Sequence, residues 1–152
     1  LRVAGVPVGL EIAHDQAYDT PQSPDGDTGS IITVVATDAP LLPHQLKRLA
    51  RRAALGLARN GSYAGNGSGD IFIAFSTAND PASRSDALAL LEMVPNDEID
   101  PLFLATVQAT EEAIINAMIA AKDITGNESN SAKAIRHDEL RAVLKKYNRL
   151  AN

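Results

Sequence analysis

The stretch "SPDGDTGSIITVVATDAPLL", Ser23 to Leu42, changes character at one residue. A polar, glycine-rich run ends at Gly29, and an apolar, β-branched run begins at Ile31. Residues 31–36, "IITVVA", are apolar at both parities, which is the pattern of a strand covered on both faces. Ser30 sits on the seam. It reads as a turn residue, as part of a calcium loop, or as a hydroxyl that does chemistry.

Working outward, "TDAPLLP" breaks the strand. Residues 43–59, "PHQLKRLARRAALGLAR", then predict a helix, with Pro43 suited to its first turn. Leu46, Leu49, Ala50, Ala53 and Leu57 form its apolar stripe, and Lys47, Arg48, Arg51, Arg52 and Arg59 lie mostly off it. After the turn "NGSYAGNGSG", "DIFIAFST" at 70–77 reads as a second strand, again apolar on both faces. Residues 79–100 read as a polar excursion with a short helical piece near "DALALLEMV". Residues 101–122 predict a long helix, with Leu104, Val107, Ile114 and Met118 on one side and Gly126 just past its end. A last amphipathic helix covers roughly 137–148.

Upstream of the seam, residues 13–29 hold two prolines, two glycines and four aspartates, the composition of an exposed loop. Residues 1–12 alternate apolar and small side chains, with Pro7 and Gly9, and read as a short strand or edge segment. Two doubly covered strands separated by long helices predict a layered α/β architecture. Two strands alone do not make a stable sheet. Residues 1–12 supply partners only in part, so the remaining strands are expected from a segment upstream.

At 152 residues, the chain is long enough for one domain burying roughly two-thirds of its unfolded surface. Its 45% apolar and 22% charged residues are ordinary for a globular protein. A net charge of −5 argues against wholesale binding to nucleic acid or acidic membranes. The absence of cysteine removes disulfides, thiol nucleophiles and cysteine-ligated zinc. No uninterrupted apolar run approaches the ~18 residues of a membrane span. The chain opens on Leu1, in "LRVAGVPVG", without a targeting signature, and reads as a processed piece or fragment. A cytoplasmic location is expected. A periplasmic one stays open, because the natural N-terminus is not in view.

Several chemistries can be weighed on the residues. Asp25, Asp27 and Gly29 imitate the start of a calcium loop, but position 12 of such a loop falls on Ala36, inside the apolar strand. "GNGSGD", Gly65 to Asp70, resembles a phosphate loop, yet it follows a helix and precedes a strand, the reverse of the required order. Three glycines here predict a tight, positive-φ turn, which leaves unexplained why Ser68 and Asp70 are spaced for one strand face. "KRLARR" reads as a solvated helix face rather than a nucleic-acid patch. His14, His44 and His137 show no metal-ligand spacing. Asn60, Asn66 and Asn127 each begin an N-x-S triplet, a frequent chance pattern. Glu111 lies on the apolar stripe of the long helix, where a carboxylate needs a partner, and a helix-edge salt bridge is expected.

A serine hydroxyl needs a base to become a nucleophile, and no His–Asp pair stands near Ser30 in the sequence. A cut between Gly29 and Ser30 would supply one. The new α-amine, with a pKa near ~8, could serve as general base to its own hydroxyl. Gly29 tolerates the strained backbone that an intramolecular attack on its carbonyl requires.

"DTGSIITVVATDAPLLPHQLKRLARRAALGLAR", followed by "GNGSGDIFIAFSTAN", resembles the DmpA-type aminopeptidases, the L-aminopeptidase/D-esterase and β-aminopeptidase enzymes. "LRVAGVPVG" and "ATEEAIINAMIAAKDITG" extend the resemblance over nearly the whole chain. The resemblance implies a precursor that cuts itself at Gly29–Ser30, making residues 1–29 the end of an α chain and 30–152 a β chain, together part of one domain. It implies Ser30 as the N-terminal nucleophile, assisted by Ser68 and Asp70, the latter a glutamate in some members. It implies an αββα four-layer sandwich, of which this chain supplies part. The implied partners are the upstream α segment of the same precursor and further αβ units, as a tetramer. The oxyanion-stabilising tyrosine and asparagine would lie in the α part. The implied substrates are small peptides or amino-acid amides and esters. Neither a cofactor nor a metal is expected, and neither nucleic acid nor membrane as partner. Ornithine acetyltransferases look similar and also self-cleave, but they expose a threonine where this chain has Ser30. A non-catalytic truncated homologue that serves as an interaction module is the third reading.

Overall fold

In the computed structural model of the chain, residues 1–12, 29–83, 86–126 and 131–150 are described. The calcium-loop reading at Asp25 and Asp27 and most of the expected 13–29 loop lie outside them. The order is α1 (Val8–Glu11), β1 (Ile32–Thr37), α2 (Pro43–Arg59), β2 (Ile71–Ser76), α3 (Asp100–Ala120), β3 (Ile124–Thr125), β4 (Ser131–Ala132) and α4 (His137–Lys146).

The centre is a parallel pair, β1 and β2, in register from Ile32↔Ile71 to Thr37↔Ser76. A parallel pair requires a crossover, and α2 supplies it. Pro43 occupies its first turn, and the Leu42 N–H donates to Gln45 Oε1 at 3.1 Å, satisfying a helix-end donor. Gln45 is fully buried because every polar atom is used: its Nε2 also donates to Val94 O at 2.7 Å and to Asn96 Oδ1 at 3.2 Å. Helix α3 lies along α2. The approach is close because Gly56 faces Thr110, and Thr106 and Thr110 turn their hydroxyls back onto the carbonyls of Leu102 and Thr106, both at 2.8 Å.

The sheet has two unlike faces. Thr33, Val35, Thr37, Phe72, Ala74 and Ser76 are shielded on the helix side, where Leu41, Leu49, Ile99 and Phe103 form the core beneath Val35 and Ala74. On the other side Ile32, Val34, Ile71, Ile73 and Phe75 are exposed, Ile32 to 68%. Both strands were expected to be covered on both faces. Among the described residues only one face is covered, the one on which α2 packs against both strands. Five large apolar side chains on one open sheet face call for a second layer.

Other expectations need correction. Residues 1–12 form no strand of a sheet: Val3 and Val6 bridge across a turn with Ala4 at φ 50° and Gly5 at φ 78°, and the single-turn helix α1 follows. The segment 86–94 is not helical. Its backbone bonds go elsewhere, Glu92 N to Asn79 Oδ1 at 3.0 Å and Val94 N to Pro40 O at 2.9 Å, and Leu88 and Leu90 stand fully exposed. On α3 the buried side is Phe103, Thr106, Val107 and Thr110, and Leu104 points outward. Helix α3 ends at Ala120 and Gly126 follows the strand β3, so that glycine caps nothing. By length and composition alone α3 could cross a membrane; here it is a layer helix packed on α2.

Three arginines of the basic face of α2 are engaged within the chain. The Arg52 guanidinium stacks 3.7 Å from the Phe103 ring centroid, with Arg48 at 5.0 Å. Arg59 pairs with Glu111 at 3.0 Å, the helix-edge salt bridge expected of that carboxylate. A second small core joins the N-terminal segment to α4 through Val6, Val8, Leu140 and Val143. Beside it Glu11 accepts from Lys146 Nζ at 2.7 Å and from Tyr147 Oη at 2.6 Å. Hydrogen bonds from Lys146 and Tyr147 hold the Glu11 carboxyl below its ordinary range, and Glu11 in turn raises both partners.

A Cβ at Gly56 would lie 2.6 Å from both Thr110 Cβ and the Val107 carbonyl. Gly56→Ala is therefore expected to force α2 and α3 apart and to cost about 1–3 kcal/mol. A lowered denaturant midpoint at unchanged slope checks this.

Candidate active site

The site is built where the two strands begin. One step before the paired register, the Ile71 N–H donates to Ile31 O at 2.9 Å, so the ladder still holds. The Ile31 N–H instead turns to a side chain, donating to Asp70 Oδ1 at 3.0 Å. One residue further, the Gly69 N–H donates to Ser30 Oγ at 2.9 Å. The parallel pairing thus brings Ser30 against Gly69 and Asp70 across 39 residues of sequence. The strands are rigid β-branched segments, so the hydroxyl is fixed at the mouth of the sheet rather than on a free loop.

The Gly29–Ser30 bond runs unbroken, and both residues are exposed. Asp70 has the parity of Phe72 and Ala74, the helix-facing side. Its Oδ2 is buried and has no hydrogen-bond partner among the described residues, as is the case for Thr33 Oγ1. A buried carboxylate oxygen without a donor is costly, so Asp70 holds acceptor capacity in reserve.

Of the residues singled out in the sequence, Ser30 and Asp70 come together, linked through the Ile31 amide. Ser68 is half-buried two residues before Asp70. Its N–H closes a turn onto Gly65 O at 2.9 Å, and among the described residues its hydroxyl makes no hydrogen bond to Ser30. The expectation of a positive-φ glycine turn at 65–69 is corrected: the left-handed residues are Gly61 and Ala64. The glycines serve a different need, seen at Gly69. A Cβ there would stand 3.3 Å from Ser30 Oγ, so the missing side chain makes room for the hydroxyl that the same residue's N–H holds. Sequence reasoning missed Gly69. The signal was present in "GSGD", but only the pairing of the strands shows which glycine faces the serine. Among the described residues, no group of three or more potential metal ligands comes together.

Comparison with known proteins bears on this arrangement. Residues 1–132 match the profile of peptidase family S58. The chain is 51% identical over 162 aligned residues to a β-peptidyl aminopeptidase, BapA, of Sphingosinicella microcystinivorans, covering 99% of this chain and 41% of that protein. It superposes with TM-score 0.84 and 52% identity on the L-aminopeptidase D-Ala-esterase/amidase of Ochrobactrum anthropi, described as a prototype serine aminopeptidase and a new variant among the Ntn hydrolase folds; 99% of this chain and 40% of that one are covered. A Burkholderia sp. β-aminopeptidase superposes with TM-score 0.78 at 40% identity, over 96% and 40% of the two chains. The chain thus spans about two fifths of the length of the curated relatives it matches. The αββα class expected from the sequence accords with these folds, and the one-sided sheet is the part of the sandwich that this chain provides.

Asp70→Ala removes the one acceptor of the Ile31 N–H among the described residues. It is expected to cost about 1–3 kcal/mol, and Asp70→Asn, which keeps an oxygen, to cost less. Hydrogen exchange at the Ile31 amide is the direct readout: it should accelerate in the alanine variant and much less in the asparagine variant.

Proposed function

The chain belongs to peptidase family S58, and on that premise we propose that it is the C-terminal part of a self-processing serine aminopeptidase with Ser30 as nucleophile. The observation that carries this reading is the grip on Ser30: a hydroxyl held by the Gly69 N–H, next to an amide held by Asp70, immediately after an exposed Gly–Ser bond.

Processing begins with attack of Ser30 Oγ on the Gly29 carbonyl. The C–N bond to Ser30 breaks, the acyl group passes to oxygen as an ester, and the Ser30 nitrogen takes up the proton. Water then cleaves the ester, leaving a Gly29 carboxylate and a free Ser30 α-amine. Residues 1–29 become the end of an α chain and 30–152 a β chain. The freed amine titrates near ~8 and can accept the Oγ proton near neutral pH. Asp70 Oδ2, buried without a donor in the uncut chain, offers the new ammonium an acceptor. Ser68 completes the surroundings of that amine.

In turnover Ser30 Oγ attacks the first carbonyl of a peptide, amide or ester with a free N-terminus, and the α-amine takes its proton. The leaving amine or alcohol departs with that proton, and water releases the acyl-enzyme. The Gly69 N–H steadies the oxygen before and during attack, which is the value of a preset donor. Donors for the oxyanion itself are assigned to a segment upstream of this chain, whose strands would also cover Ile32, Val34, Ile71, Ile73 and Phe75. A tetramer of αβ units is the proposed assembly. Serine rather than threonine at position 30 favours hydrolysis over the acetyl transfer of similar self-cleaving enzymes.

Full-length protein carrying Ser30→Ala is expected to stay uncut by mass spectrometry and to leave aminoacyl amides intact. A split at this bond in that variant, or residual amide hydrolysis at the parent rate, overturns the assignment. Gly69→Ala keeps the nucleophile but crowds it, and is expected to slow both processing and turnover about 10- to 100-fold, followed by the time course of chain cleavage on gels.

A further inference from the structure

The chain contains two Asn-Gly pairs, Asn60-Gly61 and Asn66-Gly67, and the structure treats them oppositely. An asparagine is lost spontaneously when the amide nitrogen of the next residue attacks its side-chain carbonyl carbon. Glycine is the most permissive next residue, having no side chain to block the approach. The reaction further needs a nitrogen not engaged in a hydrogen bond and an asparagine free to turn.

Asn60 meets neither condition. It is 6% exposed, its Nδ2 points to Arg2 O at 3.5 Å, and the Gly61 N–H donates to Ala58 O at 2.9 Å. Asn66 meets both. Asn66 and Gly67 are exposed at the two central positions of the turn closed by Ser68 N–H to Gly65 O, 2.9 Å. Among the described residues neither the Gly67 N–H nor the Asn66 side chain is hydrogen-bonded.

We propose that Asn66 is a spontaneous deamidation site that ages the enzyme from within its own serine-holding loop. The Gly67 nitrogen bonds to Asn66 Cγ and loses its proton. The Cγ–Nδ2 bond breaks, and ammonia leaves with that proton. Water then opens the resulting succinimide at one of its two carbonyls, giving aspartate or isoaspartate. Isoaspartate routes the main chain through Cβ and Cγ and so inserts one extra carbon into the turn. Three residues later the backbone N–H of Gly69 holds Ser30 Oγ, and four residues later the Asp70 carboxylate holds the Ile31 amide. The loss of activity rests on the serine aminopeptidase reading; the chemistry at Asn66 does not.

The test is to age processed full-length protein in mildly alkaline buffer and map its peptides by mass spectrometry, with isoaspartyl methyl transfer as a second readout. Conversion is expected at Asn66 and not at Asn60, with activity falling in step with the isoaspartyl fraction, up to about 100-fold for fully converted protein. Gly67→Ala should strongly slow the conversion, because a side chain hinders approach of that nitrogen, and the aged variant should keep its own fresh activity longer than the aged parent. Gly67 is not among the left-handed residues, so its backbone conformation admits alanine. An intact Asn66, or equal conversion at Asn60 and Asn66, overturns the site assignment. Conversion at Asn66 with activity fully retained overturns the coupling to Ser30. A fresh preparation without aminopeptidase activity but still converting at Asn66 points instead to failure of the enzymatic reading.

Discussion

The hydrogen bond from the Ile31 amide to Asp70 Oδ1 is the constraint on which the site depends. A parallel ladder runs out where its strands begin, and the last amides there have no carbonyl to meet. Asp70 takes the place of the missing carbonyl with a side chain. The Ile31 backbone is thereby locked, and Ser30, one bond away, has little freedom left. The Gly69 N–H removes what remains. Stability at the strand entrance and orientation of the hydroxyl are therefore one arrangement, read from two ends.

The rest of the chain supports that entrance from beneath. Buried Gln45 ties the start of α2 to the segment around Val94 and Asn96, and Phe103 is capped by Arg48 and Arg52. These contacts place α2 and α3 on the helix side of the strand pair, and among the described residues the shielding lies on that side. The opposite face is as apolar as a core yet open in this chain, so β1 and β2 receive support from one direction only. A strand pair buried between two layers would be held from both sides.

Much of this was legible in the sequence. Pro43 and the Leu49–Ala50–Ala53 stripe located α2 at its observed bounds, and the β-branched runs located both strands. Glu111 on an apolar stripe announced its partner, which proved to be Arg59. What failed did so for physical reasons. "DALALLEMV" has helical composition, but its amides are claimed by Asn79 and Pro40, contacts that no local pattern encodes. Leu104 looked like core because it is apolar, whereas the close approach at Gly56 selects the side of α3 bearing Thr106 and Thr110. At the site, Ser30, Ser68 and Asp70 could be picked out by type and by resemblance. Gly69 could not, because its role is to be small opposite a residue 39 positions away.

The N-terminal segment and α4 share a small core, with Glu11 bound to Lys146 and Tyr147 at its edge. In the uncut chain these are contacts within one molecule. If the bond before Ser30 opens as proposed, the same contacts become an interface between two chains. Folding of the pair would then acquire a dependence on dilution that a single chain lacks. Chain scission would thus trade a covalent tether for an equilibrium, and this small core, remote from the serine, helps determine whether the two products stay together.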